Sequence, residues 1–277
     1  MEPSVDNQLR RGVKALKRRL RPLRDRVEMA IRPPQDEATL ATDAQAYWRG
    51  DDPILPQFSH WRGAGAFEDD DRWLGMGQRH LELYHRLARM AGKPKQIGTI
   101  VEWGCGGGAN AVPFAGLCST FVGVDVSRTS LDECGRQLAA GGFKNYIPVE
   151  IDVAHPEEAL DVFAGPADLF LCTYVFELLP SVAYGLRVLR LAHQLLADDG
   201  MALIQIHCSD GTWETRPRLF SYARNALDMT TYSLEQFWTE AEHIGFIPLA
   251  ATLVPDDELT GTTHYAYVLM VKRPSPL

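Results

Sequence analysis

Short apolar runs alternate with longer amphipathic stretches from about residue 96 to the end of the chain. Runs rich in β-branched and aromatic residues at 97–103, 120–124, 146–151, 168–173, 201–207, 246–254 and 265–271 predict seven strands. Between them, apolar positions return at helical spacing over 110–117, 127–140, 156–163, 181–196 and 233–243. Strands that alternate with helices build parallel pairs, because a parallel connection needs a long return path. Only 255–264, a turn-rich segment too short for such a return, joins the last two strands, so they should run antiparallel. The pattern predicts an α/β, three-layer sandwich around a seven-stranded, mostly parallel sheet with an antiparallel last strand.

Ahead of this region the pattern changes twice. Residues 35–95 are aromatic and polar by turns, with Tyr47-Trp48-Arg49, His60-Trp61-Arg62 and Arg72-Trp73, followed by an apolar helical pattern from about Gln78 to Met90. They predict an N-terminal helical lid. In residues 1–34, Leu9, Val13, Leu16, Leu20, Leu23, Val27 and Ala30 recur at steps of four and three, the stripe of an amphipathic helix. Pro22 should kink or split that helix, and Pro33-Pro34 should end it. The chain thus divides into a basic amphipathic tail (1–34), a helical lid (35–95) and a sheet domain (96–277).

Charge sharpens the division. Hydrophobic residues at 45% and charged residues at 23% are ordinary for a folded domain and exclude a disordered or collagenous chain. Residues 1–34 carry ten basic and four acidic side chains, a net of +6; the formal charge of −8 then leaves −14 on the rest. So acidic a body is a poor surface for nucleic acid, and no nucleic-acid partner is expected. The basic helix is left to lie on an anionic membrane surface, to associate with a second copy, or to dock on its own fold. No apolar run reaches about 18 residues, so no membrane span is predicted. The N-terminus lacks the apolar core of a secretory signal. Five scattered cysteines, with neither CxxC nor zinc-like Cys/His spacing, predict a reducing cytoplasmic setting and no metal site.

Candidate chemistry concentrates at the ends of the predicted strands. Glu102-Trp103-Gly104-Cys105-Gly106-Gly107-Gly108-Ala109-Asn110 closes the first strand, where glycines let the backbone turn tightly and approach a ligand beside helix N-terminal amides. About twenty residues on, Asp125 ends the second strand, in position to accept bonds from both ribose hydroxyls of a nucleoside. Dinucleotide dehydrogenases share both features. Asp152 ends the third strand, where a carboxylate suits an adenine amino group. Glu102 would repel a pyrophosphate and attract a cationic amino acid moiety instead.

Residues 96–277 resemble the class I S-adenosylmethionine-dependent methyltransferases, in their small-molecule O-methyltransferase-like branch. The family's acid-x-Gly-x-Gly-x-Gly motif is matched by Glu102, Gly104, Gly106 and Gly108, its ribose acid by Asp125 and its adenine-side acid by Asp152. The segment after its fourth strand is matched by Val175-Phe176-Glu177-Leu178-Leu179-Pro180, with Leu178 where a His is usual. The resemblance implies a Rossmann-like fold and S-adenosyl-L-methionine as cofactor. It also implies cofactor contacts from Glu102, Gly104, Cys105, Gly106, Asn110, Asp125, Val126, Asp152, Val153 and Thr173. Methyl transfer then needs in-line positioning of an acceptor and, for a hydroxyl, a base. His207, at the end of the fifth strand, is the leading candidate base; Tyr174 and Glu177 are candidates to touch the methyl group or acceptor, and His60 and His80 of the lid come behind them. The expected reaction is O-methylation of a small molecule such as a sugar, glycolipid or natural-product hydroxyl. N-methylation of a small amine or peptide, a NAD-dependent oxidoreductase, and a catalytically silent scaffold remain as alternatives.

Overall fold

The computed structural model describes residues 26, 28, 30–92, 97–213, 215–256 and 263–274. The tail's apolar stripe from Leu9 to Val27, with Pro22, lies outside the described residues. Strands β1 (Thr99–Trp103), β2 (Thr120–Asp125), β3 (Tyr146–Glu150), β4 (Ala167–Cys172), β5 (Leu196–His207), β6 (Phe246–Asp256) and β7 (Thr263–Lys272) form one sheet in the order β3-β2-β1-β4-β5-β7-β6. The pairs among β1 to β5 are parallel, and β7 inserts antiparallel between β5 and β6. This is the Rossmann-like, mostly parallel sheet that the pattern predicts. The strand order reverses between β1 and β4, and at such a switch point the loops after the strands part to leave a crevice.

Six principal helices complete the layers: α1 (Glu37–Trp48), α2 (Asp70–Met90), α3 (Ala111–Phe114), α4 (Arg128–Ala140), α5 (Val182–Leu195) and α6 (Leu234–Ile244). The side chains of Asp36, Ser127, Ser181 and Ser233 accept a backbone N–H of the helix each precedes, which fixes where α1, α4, α5 and α6 start. Alternation along β1 sends Ile100 to one face of the sheet and Val101 and Trp103 to the other. The Trp103 face packs against α5 and α6 through Val188, Leu189 and Phe237, and α1 adds Leu40, Ala41 and Ala44 to the same cluster. The Ile100 face is covered by Phe114, Leu131 and Leu138.

Several elements differ from the expected ones for local reasons. The stretch 110–117 is a single α turn followed by a 3-10 turn, with Gly116 weakening its end, and 156–163 divides in the same way. β5 begins at Leu196 because a register shift against β4 absorbs the turn around Asp199. Helix α2 starts at Asp70, ahead of the apolar pattern at Gln78. It buries Leu83, Tyr84 and Leu87 among Ile100, Phe121 and Leu203, so the core runs across residue 95. The short helices at 222–228 were unmarked in the pattern. The described end of the tail touches this segment, where Glu28 pairs with Arg224 at 2.8 Å, and also Trp213, over which Arg26 stacks. Among the described residues no helix is long and apolar enough to cross a membrane.

Candidate active site

A cleft opens at the carboxyl ends of β1, β2 and β4. Its floor is the glycine loop. Gly104 and Gly106 have φ of 73° and 50°, a conformation that a side chain would strain. A Cβ on Gly104 would also meet Val175 at 2.3 Å, and one on Gly106 the Ser59 carbonyl at 2.4 Å. Asp125 holds the loop in place: Oδ2 accepts Gly106 N–H at 2.9 Å and Oδ1 accepts Ser127 N–H at 2.9 Å. Burial pushes the Asp125 carboxyl up, and these amides pull it back. The roof comes from the N-terminal segment, through Ala44, Trp48, Phe58, Ser59 and His60. The Ser59 carbonyl accepts Gly107 N–H at 2.7 Å, so the roof rests directly on the loop.

Behind Trp103 and Gly104 lies a buried polar network. Asn110 Nδ2 donates to Glu102 Oε1 at 2.8 Å and to Thr173 Oγ1 at 2.9 Å. Asn110 Oδ1 faces His80 Nδ1 at 2.7 Å, and His80 Nε2 faces the Tyr267 hydroxyl at 2.9 Å. With the amide so oriented, a neutral His80 carries its proton on Nδ1 and accepts from Tyr267. Glu102 is 2% exposed, and burial pushes its carboxyl up to about 8 against the Asn110 bond. Its Oε2 has no hydrogen-bond partner among the described residues. A buried oxygen of this kind calls for a cationic donor, and the tight glycine floor beside it leaves room for a ligand's backbone-close approach. Both features fit a nucleoside that carries an ammonium group.

A methyltransferase domain family model matches residues 77–250 of the chain, more than half its length. The chain belongs to that family. Its sheet domain is a class I S-adenosylmethionine-dependent methyltransferase domain, and its cofactor is S-adenosylmethionine. An uncharacterized protein of Rickettsia prowazekii is 28% identical over 192 residues, 69% of this chain; the match spans about a third (32%) of that protein's length. Two solved structures share the fold. One is N-methyltransferase NodS of Bradyrhizobium japonicum in complex with S-adenosyl-L-homocysteine, with TM-score 0.55 and 13% identity over 86% of this chain and 100% of that one. The other is magnesium protoporphyrin IX methyltransferase of Synechocystis with the same compound bound, with TM-score 0.57 and 13% identity over 83% and 99%.

In this methyltransferase domain, Gly104, Gly106, Asp125, Val126, Val153, Thr173 and Tyr174 of the expected site residues line the cleft. Glu102 and Asn110 stand in the network one layer behind. Cys105 turns away: its Sγ lies 4.0 Å from the Tyr146 hydroxyl, and contact with Cys134 together with burial holds the thiol protonated. Asp152 does not line the cleft either, because its Oδ1 accepts Ala154 N–H at 2.7 Å and closes its own turn. Val153 N–H donates to Gln45 of α1 at 2.8 Å. Arg49 donates to the Val126 and Ile151 carbonyls and pairs with Glu150, so the helix that roofs the cleft is tied to both loops of its far end. Sequence reasoning missed Gln45, Phe58 and Tyr222 as site residues; Trp48 comes from the aromatic lid cluster at 47–49.

A second chamber adjoins the cleft and shares Trp48, Phe58, His60, Tyr174 and Leu178 with it. Glu177, Gln57, Phe67 and Leu227 belong to the second chamber alone. His60 stands at the junction in a left-handed conformation (φ 54°), with its carbonyl accepting Trp73 Nε1–H at 2.7 Å. Its ring lies edge-on to Phe67 and Tyr174, with centroids 5.2 and 5.3 Å away. Tyr174 is also left-handed (φ 57°), and its N–H donates to Gln205. The expected base, His207, lines neither chamber. It is 4% exposed behind Tyr265, opposite which the β5–β7 ladder registers it. The histidine ranked behind it by sequence holds the junction instead.

Proposed function

We propose that this methyltransferase methylates a hydroxyl of a small molecule held in the second chamber, with His60 as the general base. The observation that carries the reading is that His60 is the imidazole lining both chambers. A hydroxyl placed against His60 from the second chamber faces the cleft, which is the alignment that in-line displacement needs. S-adenosylmethionine, when bound, supplies a methyl group on a positive sulfur that departs as a neutral thioether. His60 takes the hydroxyl proton as the oxygen bonds to the methyl carbon. Glu102, one layer behind the glycine floor, would supply negative charge toward the cofactor's ammonium group, Asp125 would accept from the ribose, and Val126 and Val153 would enclose the adenine end. Trp48, Phe58 and Tyr174 exclude water from the junction, so that hydrolysis does not compete. The acidic body supports a small-molecule acceptor over nucleic acid.

Titration with S-adenosylmethionine, S-adenosylhomocysteine and NAD, on wild type and Asp125→Ala, tests the cofactor assignment. Binding of the two sulfur compounds and loss in the variant are expected; binding of NAD alone sinks the reading. Transfer from carbon-13 methyl-labelled cofactor into a pool of hydroxyl and amine acceptors then tests the atom. The carbon shift of an O-methyl product is expected, and an N-methyl shift would replace the hydroxyl acceptor by an amine.

A further inference from the structure

We infer that the surface formed by the end of the N-terminal tail and the segment 213–228 docks on an anionic membrane, with the rim of the second chamber turned toward the lipid headgroups. This inference goes beyond the methyltransferase reading and stands or falls separately from it.

Three observations carry it. The first is charge that the fold brings together. Residues 213–228 carry three arginines against two acids, and residues 1–34 a net of +6, so the two stretches hold +7 and leave −15 to the rest of the chain. They are distant in sequence, yet they meet: Arg26 stacks 4.7 Å over Trp213, Arg32 donates to Ser221 Oγ at 3.0 Å, and Glu28 pairs with Arg224. Of the acids here, Glu28 is matched by Arg224 and Asp228 by Arg218 at 3.0 Å. Arg26, Arg32 and Arg216 are exposed. A chain polarised in this way turns its basic side to a negative plane and keeps its acidic body away from it.

The second is the mixture of side chains. Ile31, next to Arg32, is 71% exposed, and Leu227, three residues after Arg224, is 40% exposed. Residues 1–25, outside the described residues, join this surface at Arg26 and add eight basic side chains against three acidic ones, with apolar positions interleaved among them. Cations interleaved with apolar side chains suit the boundary of an anionic bilayer, where headgroups and acyl chains meet. A nucleic acid would meet the cations alone, and its length would carry its phosphates past them to the acidic body.

The third is position. Tyr222 lines the cleft and Leu227 the second chamber, while Ala223 and Arg224 between them are exposed. One short segment therefore supplies a wall of each chamber on its inner side and part of the basic surface on its outer side. Docking through the outer side brings the chamber's rim at Leu227 to the headgroups.

Co-sedimentation of the full chain with vesicles of phosphatidylcholine, alone or mixed with phosphatidylglycerol, tests this. Binding to the mixed vesicles should be at least about tenfold tighter and should weaken in about 1 M salt. Arg216→Ala should weaken it about fivefold and Leu227→Glu about tenfold, whereas Arg136→Ala, an exposed position on α4, should leave it unchanged. The lipid and salt dependence of the wild type decides alone if a variant does not fold. Binding to neither kind of vesicle, equal binding to both, binding that salt does not weaken, tighter binding to a DNA duplex in the same buffer, or equal weakening by Arg136→Ala and Arg216→Ala overturns the inference. Titration with S-adenosylhomocysteine reads the methyltransferase assignment apart from any of these results.

Discussion

The two chambers are walled by different kinds of parts. In the cleft, the polar groups of the floor are the main chain of a glycine loop and the Asp125 carboxylate at a strand end, within one stretch of parallel sheet. In the second chamber they are side chains, His60 and Glu177, delivered by segments more than a hundred residues apart. A wall of backbone fits one ligand and changes little when its side chains change. A wall of side chains from separate segments can be rebuilt residue by residue, and that is where acceptor selection belongs.

The largest expected effect separates the two walls outright. His60→Gln should lower kcat by about 10²- to 10⁴-fold, the usual contribution of a general base, with S-adenosylhomocysteine affinity nearly unchanged. Loss of cofactor binding in calorimetry would show that His60 belongs to the cleft alone.

Next comes a pH effect confined to the cleft. The Glu102 carboxyl is raised from 4.5 to about 8 in the folded protein. A raised value favours the protonated form on folding, so the stabilisation is full below about 4.5 and is lost as pH rises through about 8. The ligand-free protein should therefore lose stability on the order of a few kcal/mol across that window in denaturant titrations, and Glu102→Gln should flatten the slope. Cofactor binding near pH 7 should release a proton from Glu102, read as a buffer-dependent heat that the same variant abolishes. A heat independent of buffer would remove Glu102 from the ammonium site.

A smaller effect is expected from Asp125→Asn, which keeps the shape but loses a charged acceptor. Its S-adenosylhomocysteine affinity should fall about 10- to 100-fold, with the preference among acceptors intact. The smallest should come from the seam. The Tyr222 hydroxyl accepts Trp48 Nε1–H at 2.9 Å and donates to the Leu178 carbonyl at 2.7 Å, joining the roof to the loop after β4. Tyr222→Phe should cost about 1 kcal/mol of stability and weaken both ligands alike; an effect on one ligand only would show that the seam serves a single chamber.

The same contrast explains what the amino-acid sequence discloses. Gly104, Gly106 and Asp125 are legible because the distance from one strand end to the next fixes their spacing, whatever fills the helices. The seven strands and their final antiparallel pair are legible for a related reason, since pattern length and connection length decide them. His60 is not, because its place depends on contacts far away in the chain: its carbonyl on Trp73, and the neighbouring Trp61 indole on Ser130 Oγ at 3.2 Å. His207 misleads for a topological reason. A histidine at a strand end belongs in the crevice unless another strand's aromatic covers it, and β7, inserted beside β5, brings Tyr265 to do so. Asp152 and Cys105 occupy motif positions but spend their polar atoms within their own loops.

The wall that Trp48, Phe58, His60, Tyr174 and Leu178 hold in common makes the two ligands thermodynamic partners. Whatever ordering of those five residues the cofactor brings about is ordering the acceptor need not bring about again, and the linkage is reciprocal. The factor by which saturating cofactor tightens the acceptor must equal the factor by which saturating acceptor tightens the cofactor. A spent cofactor is then held hardest while an acceptor is still in place, and turnover is gated by the sequence in which the two leave.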